Sequence, residues 1–512
     1  MTGIDERPQQ ACRNCAAGRI NCDFVRPRCT PCKESHRECT GAGRAPVFKT
    51  TVSMTAAGRK QVACTNAPDT STTTTVTPSR AESTLLSAAE QDRYMGFFWN
   101  AYLPNGEDFP DEATQYTTCG WTRIAREICA TRDDDTTAVV SLAIVANSLC
   151  MLGSQHREPG MIKDGQQVYG KALLQMRSAL QRHQLNPSHS TKGKKLALII
   201  ASRLLTVFTM LFGGNGGEGE STTQGKAWVS LNSGEKALVL SSPPTAYQTG
   251  VAHQVFVDTR LNLFLPKLIA KTRTILANTD WMTEAWSVVP KTPLDRLVDL
   301  VAQIPALAED LTAINTGILS EQAKVDAKRA LRPRFVAFLA EMQRWFDDIV
   351  PGLSMDDLLA SKKSRKKKIV PVLDLAKAHT LILFWAICLL FRGGLLQVLT
   401  EPEDIPLSFV NVHAIRYNML RVLSSVFFPS GLGSSLSSSS SRGCWYSVNI
   451  ALFPLRTLLG TIGDGSGDGD SFPLSPAEVK LMAGIANECK ARGVASFLNS
   501  MGRYVSAADA KD

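Results

Sequence analysis

Residues 12–39 read CRNCAAGRINCDFVRPRCTPCKESHREC, and the six cysteines in that stretch decide how this end of the chain folds. Two residues separate Cys12 from Cys15, six separate Cys15 from Cys22, and six more lead to Cys29. Cys29 and Cys32 repeat the two-residue gap, and Cys39 follows after another six, so one half-motif is written twice. A segment this short cannot bury enough apolar surface to fold on a hydrophobic core and needs another source of cohesion.

Disulfides are a poor source here. The start, MTGIDERPQQ, has neither the apolar run of a secretory signal nor the Arg-rich, acid-free character of a transit peptide, so the chain is expected to be intracellular. In a reducing compartment, cysteines packed at fixed short spacings ask for a metal. Zinc takes four tetrahedral ligands, with thiolates at about 2.3 Å. Two zinc ions then need eight bonds from six sulfurs, so two sulfurs must bridge; the two-fold repeat makes the bridging pair equivalent positions, and Cys12 and Cys29, first in each half, are assigned to it. The ligand set is Cys12, Cys15, Cys22, Cys29, Cys32 and Cys39, with two Zn²⁺ per chain, and the binding free energy of the metal becomes the folding free energy of the segment.

Charge placement points the same way. The chain carries +9, and residues 1–60 hold eleven Arg and Lys against five acids, which is +6 of that total. Attraction for a polyanion is therefore concentrated at one end. Six thiolates and two Zn²⁺ leave a net negative centre, which Arg13, Arg19, Arg26, Arg28, Lys33 and Arg37 overturn against Asp23, Glu34 and Glu38.

The spacing, with Asp23 after the third cysteine and Pro27 two before the fourth, resembles the fungal-type binuclear zinc cluster of transcription factors. The resemblance covers residues 12–39, under a tenth of the chain. It implies a nuclear protein that regulates transcription by RNA polymerase II and reads double-stranded DNA at CGG-like triplets, with control of a dedicated metabolic or secondary-metabolite gene cluster as the family-level expectation. A basic side chain after the second cysteine reads guanine in such proteins, and Arg19 holds that position. Arginine can pair with guanine O6 and N7 together, worth roughly 1–3 kcal/mol of discrimination. The gap is otherwise poor in charge: Ala16, Ala17, Gly18, Ile20 and Asn21 surround Arg19, where relatives carry three or four basic residues. Gly18 weakens a helix by roughly 1 kcal/mol relative to alanine. Arg13, Arg26, Arg28 and Lys33 are then the phosphate contacts, and Asn21 either bonds a base or phosphate or caps the helix end. The alternative reading is a zinc-cluster scaffold or co-regulator that binds proteins rather than DNA.

At 512 residues the chain has room for several domains of roughly 100–200 residues. With 44% hydrophobic and 20% charged residues, most of it should fold. Three parts are expected: the cluster at 1–45, a Thr- and Ser-rich flexible linker at 46–83, and an all-α middle or regulatory region at 84–512, with loops near 213–222, 430–442 and 463–471. Helical spacing carries the last assignment. Phe335, Phe338, Leu339, Met342, Phe346 and Ile349 form one stripe after a helix-starting Pro333; Leu294, Leu297, Val298 and Val301 form a second, and Tyr169, Leu173, Met176 and Leu180 a third. Residues 380–391 (TLILFWAICLLF) are the one membrane-like stretch noted, short of the roughly 20 residues a span needs, and are read as a buried core helix with no membrane partner. Trp228, the apolar run at 256–265 with Arg260, and Trp281 give this body a diffuse resemblance to the middle region of fungal transcription factors. Residues 40–83 show no heptad pattern, so the chain binds either as a monomer beside protein co-regulators or as a homodimer formed through the helical region.

No zinc-protease, serine-hydrolase, P-loop or dinucleotide motif occurs in a fitting context, so no catalytic residue is assigned and the chain is not read as an enzyme. His253 is expected to be a satisfied core or surface histidine, and the cysteines at 64, 119, 129, 150, 388, 444 and 489 isolated thiols. Lys362, Lys363, Arg365, Lys366, Lys367 and Lys368 form the densest basic run and are read as a nuclear localisation signal, the alternatives being a solvated charged loop and a signal supplied by the basic residues of the cysteine cluster. Deleting residues 362–368 from a tagged protein is expected to abolish nuclear accumulation under fluorescence microscopy; unchanged accumulation would remove the assignment.

Overall fold

The computed structural model describes residues 30–35, 88–131, 135–185, 192–214, 221–353, 371–399, 409, 411–428, 444–461 and 474–499. The chain divides into two units, Met1–Gln61 and Val62–Asp512. In the first, the described element is a short helix, α1 (Thr30–Glu34). The second is helical throughout, with no strand among the described residues. The expected glycine- and serine-rich loops fall mostly outside them, as do residues 46–83.

Apolar periodicity builds the second unit. Helices α2 (Ala88–Tyr102), α3 (Asp111–Thr114), α4 (Trp121–Thr131), α5 (Asp135–His156), α6 (Pro159–Leu185), α7 (Lys192–Phe212) and α8 (Ser221–Leu240) follow one another with short connections. α5 is the hub of this half: α2, α4, α6 and α7 all pack on it, and Val139, Val140, Ala143, Ile144 and Ala146 are fully buried. Next come α9 (Gly250–Ile269), α10 (Thr279–Thr283), α11 (Pro293–Thr316) and α12 (Glu321–Ile349). α9 joins the halves, touching α4, α7 and α8 on one side and α11 on the other. The remaining helices are α13 (Val372–Val398), α14 (Val412–Val422), α15 (Trp445–Gly460) and α16 (Pro476–Ala491). α13 packs on α11, α12, α14 and α15, and its residues from Leu381 to Leu389 are buried in an unbroken run.

That run is the expected core helix, but the sequence held more of the same kind. Among the described residues, three helices are long and apolar enough to cross a membrane by length and composition: Asp135–His156, Gly193–Phe212 and Val372–Val398. Uninterrupted apolar letters picked out the last alone, because a serine, an asparagine or a single arginine breaks the other two runs without breaking their hydropathy. Neighbouring helices cover most of each: 72%, 89% and 67% of the apolar windows are buried inside the protein.

The stripes face the core as the spacing requires, with Phe335, Phe338, Met342, Leu294, Leu297, Val298, Val301 and Met176 buried. Phe391 lies 5.2 Å from Phe335 and 5.0 Å from Phe338, centroid to centroid, and Trp345 stacks on Phe384 at 5.0 Å, which clamps α12 to α13. One expectation is corrected. Pro333 does not start a helix; α12 begins twelve residues earlier, at Glu321, where the Ser320 hydroxyl accepts the Ala323 N–H. An interior proline removes one backbone hydrogen bond and costs about 3 kcal/mol. The good helix formers before it (EQAKVDAKRALR) and the aromatic clamp after it outweigh that cost.

Two buried ion pairs tie the unit together. Arg260 on α9 is 1% exposed, bonds Asp299 on α11 and lies 4.2 Å over the Trp286 ring. Arg416 on α14 donates through Nε to Glu478 Oε1 at 2.6 Å, and the two side chains are 0% and 3% exposed. Glu478 is also the third residue of a capping box on α16, accepting the Ser475 N–H at 2.8 Å while the Ser475 hydroxyl accepts the Glu478 N–H. Burial works to raise the Glu478 carboxyl, but Arg416 and Ser475 overcome it and hold it at about 2. Because this value is depressed, the stability it contributes is present above the ordinary glutamate value of 4.5 and is lost as pH falls toward about 2. Arg416→Met strands a buried carboxylate and is expected to cost about 3–5 kcal/mol in urea unfolding at pH 7. The cost should shrink steadily below pH 4.5; a pH-independent cost would exclude an ionic origin.

Candidate functional site

Of the site assigned from the sequence, two residues fall within the described part. α1 carries Cys32, 2% exposed, with Thr30, Lys33, Glu34 and Ser35 around it exposed. Lys33, beside it, stands at the surface, where a phosphate contact must be. Cys12, Cys15, Cys22, Cys29 and Cys39 lie outside the described residues, as do Arg13, Arg19, Asn21, Arg26, Arg28 and the basic run at 362–368. Among the described residues there is no group of three or more metal-ligating side chains.

The helical body holds a second assembly that the sequence reading did not assign. It lies where α7, α8 and α9 meet, against α2, α4 and α15. Each of the three helices places one charged residue in an apolar setting: Arg203 on α7 at 5% exposure, Glu235 on α8 at 0% and Asp258 on α9 at 2%. Trp121, opening α4, donates its backbone N–H to Asp258 Oδ2 at 2.7 Å, and Gln254 reaches the same oxygen at 3.1 Å. The other Asp258 oxygen, both Glu235 oxygens, and Arg203 Nε and Nη1 are buried without a hydrogen-bonding partner.

Burial dominates the electrostatics. It pushes the Glu235 carboxyl up to about 7, against the Arg203 charge and the Thr259 hydroxyl, which lies near enough to favour the ionised form without bonding either oxygen. It lifts Asp258 to about 7 as well, against the Gln254 and Trp121 hydrogen bonds and the Arg203 charge. Tyr102 on α2 feels Arg203 too; burial raises its phenol, whose oxygen accepts from Asn449 Nδ2 at 3.1 Å. Tyr102 packs 5.8 Å from Trp121 and 5.7 Å from Tyr446, and so walls the cluster with aromatic rings. Beyond that wall, Tyr446 bonds Thr117 at 2.6 Å and Thr117 bonds His379 Nδ1 at 2.8 Å; burial holds His379 down at about 3, a neutral ring.

A signal for this cluster was present in the sequence. Residues 196–211 (LALIIASRLLTVFTML) contain one charge, Arg203, in the middle of sixteen residues. Such an isolated charge is buried with a purpose more often than by accident. The remaining candidates are structural. His253 is buried, its Nδ1 within 2.8 Å of the Tyr247 carbonyl and 3.1 Å of the Ala285 carbonyl. Cys119, Cys129, Cys150, Cys388 and Cys489 are buried, with burial raising each thiol, and Cys444 is half-buried.

Glu235 and Asp258 make the folded state sensitive to pH in the sense opposite to Glu478. A carboxyl raised to about 7 contributes stability that is full below the ordinary carboxylate range and is lost as pH rises through about 7. Glu235→Gln removes one such group. It is expected to melt like wild type near pH 4.5 and to be more stable by roughly 1–3 kcal/mol at pH 8, the cost of a buried unpaired polar group. Superimposable pH profiles would show that Glu235 is not the titrating group. Comparison of the chain with protein-family models, curated proteins and solved structures finds no match, so the assignment of a role rests on the residues themselves.

Proposed function

We propose that the protein is a zinc-dependent, sequence-specific DNA-binding transcription factor acting in the nucleus on genes transcribed by RNA polymerase II, plausible targets being a dedicated metabolic or secondary-metabolite gene cluster. The observation that carries this reading is the spacing of the six cysteines between residues 12 and 39, since two CxxC pairs with three matched six-residue gaps leave six sulfurs suited to two zinc ions. The burial of Cys32 among exposed neighbours and the exposure of Lys33 support it. In this role Cys12, Cys15, Cys22, Cys29, Cys32 and Cys39 hold the metal, Zn²⁺ supplies the folding free energy of the segment, Arg19 reads a guanine, and Arg13, Arg26, Arg28 and Lys33 neutralise phosphates. The helical body serves as the regulatory or partner-binding part, and residues 362–368 as the nuclear localisation signal.

A scaffold that binds proteins through the same zinc cluster is the second reading, favoured by the single charge in the recognition gap around Arg19. Selection of bound sites from random DNA by residues 1–80, together with zinc counting, separates the two. The transcription-factor reading expects two zinc ions and enrichment of a CGG-like triplet, whereas a scaffold binds two zinc ions without enrichment. One zinc per chain would sink both. With these four phosphates neutralised, affinity should fall roughly 150-fold between 50 and 200 mM salt. Arg19→Ala should relax the preference for guanine by roughly 1–3 kcal/mol while leaving the zinc content at two.

A further inference from the structure

We propose that the Arg203–Glu235–Asp258 cluster is a binding site for a small zwitterion, one that offers a carboxylate to Arg203 and an ammonium group to the two carboxyls. Charges of opposite sign are gathered on three mutually packed helices, α7, α8 and α9, and the Arg203 charge is felt at both Glu235 and Asp258. Yet they do not touch: Nε and Nη1 of Arg203 and both oxygens of Glu235 have no hydrogen-bonding partner, and the partners of Asp258 are Trp121 and Gln254. Bringing charges out of water costs several kcal/mol each unless direct contact repays it, so a polar molecule that meets both signs would be held strongly here.

The inventory of unsatisfied atoms defines the bridge. On one side are donors that cannot accept, on opposite edges of the Arg203 guanidinium; on the other are three carboxyl oxygens that, when ionised, can only accept. A simple anion would satisfy Arg203 and be repelled by Glu235, and a simple cation the reverse. A molecule with both charges complements both signs at once, and the Tyr102 and Trp121 rings give its carbon skeleton an apolar wall. The chemical competitor is ordered water, which also donates and accepts but carries no charge to match. The site belongs to the helical body and does not depend on residues 12–39 binding DNA.

The test uses the purified full-length chain. The twenty α-amino acids and γ-aminobutyrate are screened at millimolar concentration for a rise in melting temperature, with butyrate and butylamine as singly charged controls, and compounds that raise it are titrated by calorimetry. The expected result is stabilisation by at least one zwitterion and by neither control, with affinity at least tenfold weaker in Arg203→Met and in Glu235→Gln. Glu235→Gln loses an unpaired carboxyl and should fold at least as well as wild type, so it keeps the test decisive if Arg203→Met does not fold. The proposal is overturned if no zwitterion stabilises the protein, if the controls do so equally, if affinity is unchanged in Glu235→Gln, or if a crystal grown with a stabilising compound shows ordered water alone at the cluster.

Discussion

Three helices with almost no polar face set the terms for the rest of the helical unit. α5, α7 and α13 each carry apolar residues around most of their circumference, and such a helix is stable in water only when other helices surround it. α5 is accordingly covered by α2, α4, α6 and α7, and α13 by α11, α12, α14 and α15. Amphipathic helices such as α12, with one buried stripe and one exposed face, form the outer layer. The arrangement follows from a shortage of covering surface, and α9, which touches both groups, makes them one body.

This same pressure gives the buried charges their meaning. In a core assembled to exclude water, an arginine or carboxylate survives only where the surroundings repay its desolvation. Arg416 and Arg260 are repaid by direct carboxylate partners on neighbouring helices, at Glu478 and Asp299. Arg203 has no direct carboxylate partner of that kind, although Nε and Nη1 are buried without a hydrogen-bonding partner in Arg260 as well.

How much of this could be read from letters depended on the range of the physics involved. Local periodicity is short-range, so the stripes in α6, α11 and α12 and the burial of residues 380–389 were visible in the sequence. Pro333 misled because a local rule about where prolines sit yielded to helix formers on one side and an aromatic clamp on the other. The apolar character of α5 and α7 was hidden behind a few polar letters, Asn147 and Arg203 among them, that turn out to be buried. Arg203, Glu235 and Asp258 lie 23 to 55 residues apart on separate helices, and no spacing rule brings them together. The cysteine cluster is the opposite case: its chemistry is legible because metal coordination compresses the whole site into 28 consecutive residues, while its geometry lies mostly outside the described part of the chain.

The capping box at the start of α16 uses a side chain already committed elsewhere, since Glu478 bonds Ser475 and Arg416 together. Helix ends ordinarily fray first, because their terminal backbone groups have little to lose. Here the first turn cannot unwind without breaking the buried Arg416–Glu478 ion pair, so the usual weak end is anchored. The far end is held as well, since Val494, Phe497 and Leu498 just beyond Ala491 are buried and Phe497 packs on Trp228, so both ends of this helix are tied into the body.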